Sequence, residues 1–123
     1  MMVKLVFCLR RQPHLTREEF QHYWLTTHGP LVRARAEAMG VLRYVQSHTL
    51  DTAANDALRA GRGGPEAYDG VAELWWDSLD GLLEGSGAGD ARQAAAELLA
   101  DERTFLDLAN SPIFLTEEHE IVG

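Results

Sequence analysis

Val3-Lys4-Leu5-Val6-Phe7-Cys8-Leu9-Arg10 places apolar side chains on both sides of an extended chain. With a period of two, Val3, Leu5, Phe7 and Leu9 share one face, and Lys4, Val6, Cys8 and Arg10 share the other. The second face is not cleanly polar, because Val6 and Cys8 sit in its middle. A strand whose outer face meets water alternates to polar residues there. This one therefore calls for cover on both sides. Residues 70–76 repeat the pattern, with Val71, Glu73 and Trp75 alternating with Ala72, Leu74 and Trp76.

Between these two strands the chain supplies a helix and another strand. Gln12-Pro13-His14 is a turn. Thr16 followed by Glu19 is a capping box that opens a helix. That helix carries Phe20, Tyr23, Trp24 and Leu31 inward. Gly29-Pro30 must kink or restart it, since proline cannot donate to the preceding turn. Residues 31–39 continue it, and Gly40 ends it. Residues 42–50 read as a strand with Tyr44, Gln46 and His48 on one face and Val45, Ser47 and Thr49 on the other. The long connection 51–69 has room for a short helix at 54–60, followed by Gly61, Gly63, Gly64 and Pro65.

After the third strand, Ser78 can cap a helix starting at Leu79. Gly85, Gly87 and Gly89 interrupt it, and Asp90 can cap a restart. Residues 91–108 are strongly helical, with Ala94, Ala95, Leu98, Phe105 and Leu108 inward. Asn110-Ser111-Pro112 stops that helix, and residues 113–122 read as a fourth strand. The order strand, helix, strand, strand, helix, strand is the split βαβ, ferredoxin-like pattern of an α+β protein with a four-stranded antiparallel sheet. Both helices then cover one face of the sheet. The other face, carrying apolar groups, needs a partner, and a second copy of the chain is the simplest one. The expectation is a single domain over residues 1–123 forming a homodimeric α/β barrel with a cavity in each subunit.

Composition narrows the function. The chain has 123 residues, 46% hydrophobic and 24% charged, with a net charge of −8. That charge disfavours a nucleic-acid partner, which requires clustered Lys and Arg, and an anionic membrane surface. The single cysteine, Cys8, permits no intrachain disulfide and reads as buried filler. The apolar run at residues 5–9 is too short for a signal peptide, and no stretch is long enough for a membrane span, so the default location is the cytoplasm. No two histidines have helical ligand spacing and there is no cysteine cluster, so no metal site is expected. Phosphate loops, dinucleotide fingerprints and nucleophile elbows are absent from the sequence, and no cofactor is expected.

The segment Phe20-Gln21-His22-Tyr23-Trp24-Leu25-Thr26-Thr27-His28-Gly29-Pro30 is the most informative for chemistry. Residues four apart share a helix face, so Phe20, Trp24 and His28 form one stripe. A titratable ring at the end of an aromatic stripe is either a proton shuttle or a core histidine held by backbone groups.

These features together resemble the EthD family within the dimeric α/β-barrel superfamily. The residues that carry the likeness are Leu5-Val6-Phe7-Cys8-Leu9-Arg10-Arg11, Thr16-Arg17-Glu18-Glu19-Phe20, and Tyr23-Trp24 through His28-Gly29-Pro30-Leu31-Val32. Tyr44-Val45-Gln46-Ser47-His48, the run from Tyr68 through Trp75-Trp76 to Ser78, and Glu117-Glu118-His119 also fit. The resemblance implies the same dimeric ferredoxin-like fold, and a histidine matching His28 that is placed towards the cavity. The founding members are linked to degradation of an alkyl ether alongside a separate monooxygenase system. Relatives include dehydratases, decarboxylases and cyclases of aromatic polyketides, and the wider superfamily includes muconolactone isomerases and cofactor-free monooxygenases.

His28 is thus the first choice for a general acid or base. His48 shares a strand face with Tyr44 and Gln46. These groups hydrogen-bond a ligand if that face lines the barrel, and need internal partners if it faces the helices. Glu73, on a strand face between Val71 and Trp75, orients a histidine, acts as a base, or pairs with Arg10 or Arg43. Trp24 and Trp75, with Trp76, either wall a flat substrate or pack the core. The expected catalytic set is His28, His48 and Glu73, and the expected substrate-binding set is Trp24, Tyr44, Gln46 and Trp75. The expected activity is a cofactor-independent isomerase or lyase reaction on a small apolar or aromatic molecule. Rival expectations are a non-catalytic binding or delivery protein serving an oxygenase, a cofactor-free monooxygenase, and a purely structural dimer with a filled barrel.

Overall fold

Strands β1 (Val3–Leu9), β2 (Arg43–His48), β3 (Gly70–Trp76) and β4 (Ile113–Thr116) pair antiparallel in the order β2-β3-β1-β4. The computed structural model describes residues 1–86 and 89–123. Helices α1 (Arg17–Tyr23), α2 (Gly29–Met39), α3 (Ala53–Arg62), α4 (Leu79–Ser86) and α5 (Gly89–Phe105) complete the ferredoxin-like α+β order, with α3 inserted between β2 and β3.

The capping box forms at Thr16: its hydroxyl accepts from the Glu19 N–H at 3.1 Å, and the Glu19 carboxylate accepts from the Thr16 N–H at 2.9 Å. Between α1 and α2 the chain does not break. Trp24–His28 widens into a turn of π-helix. Pro30 offers no N–H, and its ring crowds the carbonyl four residues back. Inserting one residue into the turn lets the Gly29 N–H bond the Trp24 carbonyl instead, and α2 resumes with proline in its first turn, where its missing donor costs nothing. Gly40 closes α2 at φ 72°.

Two boundaries differ from the sequence expectation. The strand expected over residues 113–122 ends at Thr116, which pairs with Lys4 one residue from the start of β1, so the ladder runs out as its partner strand ends. Of the glycines expected to interrupt the fourth helix, Gly85 lies within α4, Gly89 opens α5, and Gly87 lies outside the described residues.

The core lies between the helices and one sheet face. Phe7 and Leu9 of β1 and Ala72 of β3 meet Phe20, Trp24 and Phe105 there. The Phe20 ring sits 5.7 Å from Trp24 and 5.6 Å from Phe105, centroid to centroid. Burying each such ring contributes about 1.5–3 kcal/mol. On the opposite face, the register aligns Val6 with Glu73, Val45 and Phe114. No helix among the described residues is long and apolar enough to cross a membrane.

Candidate functional site

A cavity of about 170 Å³ opens between the sheet and helices α2 and α5. Leu5 and Phe7 of β1, Leu74 and Trp76 of β3, and Leu98 and Phe105 of α5 make its walls. Leu99 and Ile113, both exposed, lie at its rim. Among the described residues, three titratable side chains line it: His28, Tyr44 and Glu102.

His28 comes from the π turn and is only 5% exposed. Its Nδ1 lies 2.7 Å from Oδ2 of Asp101 on α5. The other oxygen of Asp101 accepts from the Tyr23 hydroxyl at 2.5 Å. A carboxylate offers only lone pairs, so Nδ1 carries the proton and Nε2 is left as the basic nitrogen. Burial lowers the imidazole's pKa, and Asp101, which pulls it up, only partly offsets this. His28 is therefore neutral at physiological pH and able to accept a proton.

Glu102 follows Asp101 in the chain and lines the cavity. Burial, reinforced by the Asp101 charge, pushes its carboxyl up to about 7. Tyr44 reaches the same cavity from β2, and burial raises its phenol, so the hydroxyl stays protonated. Its oxygen accepts from Gln46 Nε2 at 2.8 Å, leaving its own proton to donate. The arrangement is an oriented base, a phenol donor and a carboxyl with a near-neutral pKa around an apolar space. Such a set suits proton transfer to and from carbon and oxygen.

Of the seven side chains singled out in the sequence, His28, Trp24 and Tyr44 line this cavity. The face bearing Tyr44, Gln46 and His48 turns to the helices, and its polar groups find internal partners. Gln46 donates to the Trp24 carbonyl at 2.9 Å and accepts from His48 Nε2 at 2.8 Å. The His48 ring stacks on Trp24, 4.5 Å between centroids, outside the set lining the cavity. Glu73 and Trp75 lie on the opposite sheet face, because strand alternation sends them away from Ala72 and Leu74. They do not meet His28. Glu73 pairs with Lys4 at 2.7 Å rather than with Arg10 or Arg43. Trp75 bonds Glu118 and lies beneath the Lys4 and Arg43 side chains.

Asp101 and Glu102 are the residues that sequence reasoning missed. A signal for Asp101 existed: Ala94, Leu98, Asp101 and Phe105 recur at helical spacing, and an acid inside an apolar stripe needs a partner.

A larger polar cleft, about 660 Å³, runs past Arg10, Arg11 and Arg17 to α3. Its arginines are engaged structurally. Arg10 donates to the carbonyls of Ala67 and Glu66, and Arg11 and Arg17 bond the buried Asp69 at 2.7 and 3.0 Å. No cluster of three or more metal-ligating side chains exists among the described residues.

The EthD domain model matches residues 12–109. No curated protein matches the sequence. Solved structures similar to the chain include an ethyl tert-butyl ether D (EthD) family protein from Bacillus halodurans, at TM-score 0.60 and 18% identity, covering 97% of this chain and 100% of that one. A dimeric protein of unknown function and ferredoxin-like fold from Bacteroides fragilis superposes at TM-score 0.57 and 12% identity, covering 95% and 96%. SnoaB, a cofactor-independent oxygenase from Streptomyces nogalater, superposes at TM-score 0.57 and 14% identity, covering 98% and 96%. At these identities the likeness is one of fold.

Proposed function

The chain belongs to the EthD family, and we propose that it is a cofactor-independent enzyme that moves a proton on a small apolar or aromatic molecule, with His28 as the base. The contact between His28 Nδ1 and Asp101 Oδ2 at 2.7 Å, at the edge of an apolar cavity, carries this reading. With Nδ1 engaged, Nε2 takes a proton from a carbon beside a carbonyl. The electron pair moves into the carbonyl, giving an enolate, and the Tyr44 hydroxyl donates a hydrogen bond to the oxygen that becomes negative. Return of the proton to another carbon is an isomerisation. Its delivery to a departing hydroxyl releases water and is a dehydration.

The working form is a homodimer. Its support is the sheet face opposite the core, where Val6 and Val45 align through Glu73, and Phe114 beside Val6 is 48% exposed, together with the dimeric state named for the Bacteroides fragilis protein.

The test is deuterium incorporation beside the carbonyl of cyclohexenone and related single-ring ketones in D2O, followed by NMR. His28→Gln with an unchanged melting temperature should lose the exchange. Equal exchange in the variant rejects His28 as the base. The likeness to SnoaB favours one second reading, oxidation of the same enolate by molecular oxygen. Oxygen consumption with a phenolic probe separates the two.

A further inference from the structure

Resting on the reading of this cavity as the ligand site, we propose that its ligand is an uncharged, single-ring molecule bearing a carbonyl or hydroxyl oxygen, and that Glu102 is the residue that turns anions away. Among the described residues lining the cavity there is no lysine and no arginine. A carboxylate entering it sheds its water and meets no counter-charge, which is costly unless the charge is paired. It meets negative charge instead: Glu102 on the wall, and Asp101 behind His28.

The groups that face Glu102 are few. His28 from the π turn and Tyr44 from β2 share the cavity, and Asp101 precedes it on α5. Helix α2 and strands β1 and β3 offer it Val32, Met39, Leu5, Phe7, Leu74 and Trp76, none of which is charged. That the Glu102 carboxyl holds its proton up to about 7 fits a wall that supports charge poorly. An ammonium ligand would also be disfavoured, since pairing it with Glu102 requires both ions to lose water. Three polar groups remain for a neutral ligand: His28 Nε2, the Tyr44 hydroxyl and the Glu102 carboxyl. Size fixes the rest. A cavity of about 150 Å³ holds benzene, so this one, of about 170 Å³ and open at the Leu99–Ile113 rim, encloses one ring, and any further fused ring would lie outside it.

The experiment is a binding titration of the intact protein, read by tryptophan fluorescence since Trp24 lines the cavity, at about pH 8, where phenol is uncharged. The probes are phenol, benzoate, benzylamine and a tricyclic phenol. Phenol should bind at least about tenfold more tightly than each of the others, a difference of roughly 1.4 kcal/mol. Glu102→Gln should raise benzoate affinity relative to phenol and so narrow the gap between them. In the unmodified protein, lowering the pH from about 8 to about 6 should narrow the phenol-to-benzoate gap as Glu102 takes up its proton. Benzoate or benzylamine binding as tightly as phenol, the tricycle binding equally well, or a gap unmoved by both the variant and pH overturns the proposal. These readouts need no turnover, so loss of His28 as the base leaves them standing. Failure of every probe to bind removes the cavity as the ligand site.

Discussion

Asp101 holds His28 from the far end of the fold: the two lie 73 residues apart in the chain and 2.7 Å apart at Oδ2 and Nδ1. The bond fixes the ring's tautomer and orientation, and it opposes the burial that lowers the imidazole's pKa. Replacing Asp101 with Asn keeps the size and removes the charge. Exchange of a ketone probe should fall on the order of 10²-fold or more. Because Asp101 raises the His28 pKa, its loss should also move the acid limb of the rate–pH profile to lower pH. A merely structural Asp101 would lower the rate and leave that limb in place.

Glu102 has the opposite linkage. Its folded carboxyl titrates at about 7, against 4.5 for the unreacted group. Between these values the folded chain binds more protons than the unfolded one, so stability falls as pH rises through the window. The contribution is fully present below 4.5 and lost above about 7, and is at most about 3–4 kcal/mol at roughly 1.4 kcal/mol per unit. His28, with its pKa lowered, works the other way: its contribution is present above 6.5 and lost as pH falls. Urea unfolding of the protein and of Glu102→Gln, compared at about pH 5 and about pH 8, isolates the carboxyl. The variant should gain on the parent at the higher pH; a difference constant with pH contradicts the assignment.

How much of this was legible in the sequence depended on whether the signal was local. Thr16 and Glu19, Gly40, and the alternation of β1 and β3 are short-range patterns, and each led to the right element. The side on which Tyr44, Gln46 and His48 face is not local. It depends on which sheet face the helices choose, and alternation alone cannot say. That is why Glu73 and Trp75 were grouped with His28 and lie across the sheet from it. Asp101 was written in the helical stripe of Ala94, Leu98 and Phe105, but an acid in a helix is usually solvated, so the stripe alone does not single it out. Its partner lies 73 residues away. The π turn at Trp24 follows from Pro30, yet a kink, a stop and a widened turn all answer the same missing N–H.

Gly70 sits under Trp24, where a Cβ would come within 2.4 Å of Cζ3, 2.8 Å of Cη2 and 3.0 Å of the Ser47 carbonyl. The backbone on one side and a fully buried indole on the other leave no room to yield. Gly70→Ala should destabilise the fold by about 1–3 kcal/mol and, by displacing Trp24, weaken phenol binding as well. A melting temperature equal to the parent's would mean that the indole relaxes freely, against its tight burial.

The uncovered sheet face carries the last expectation. Phe114, 48% exposed in the single chain, lies opposite Val6, which is itself aligned with Glu73 and, beyond it, Val45. If a second copy covers this face, Phe114 is buried in the pair, and an acid there must be desolvated beside an apolar surface. Phe114→Glu should then convert a dimer to a monomer in light scattering at micromolar concentration, while far-UV circular dichroism stays unchanged. The cavity lies on the other side of the sheet, so the monomer should still bind phenol. A parent protein that is already monomeric at that concentration removes the dimer and leaves the cavity chemistry intact.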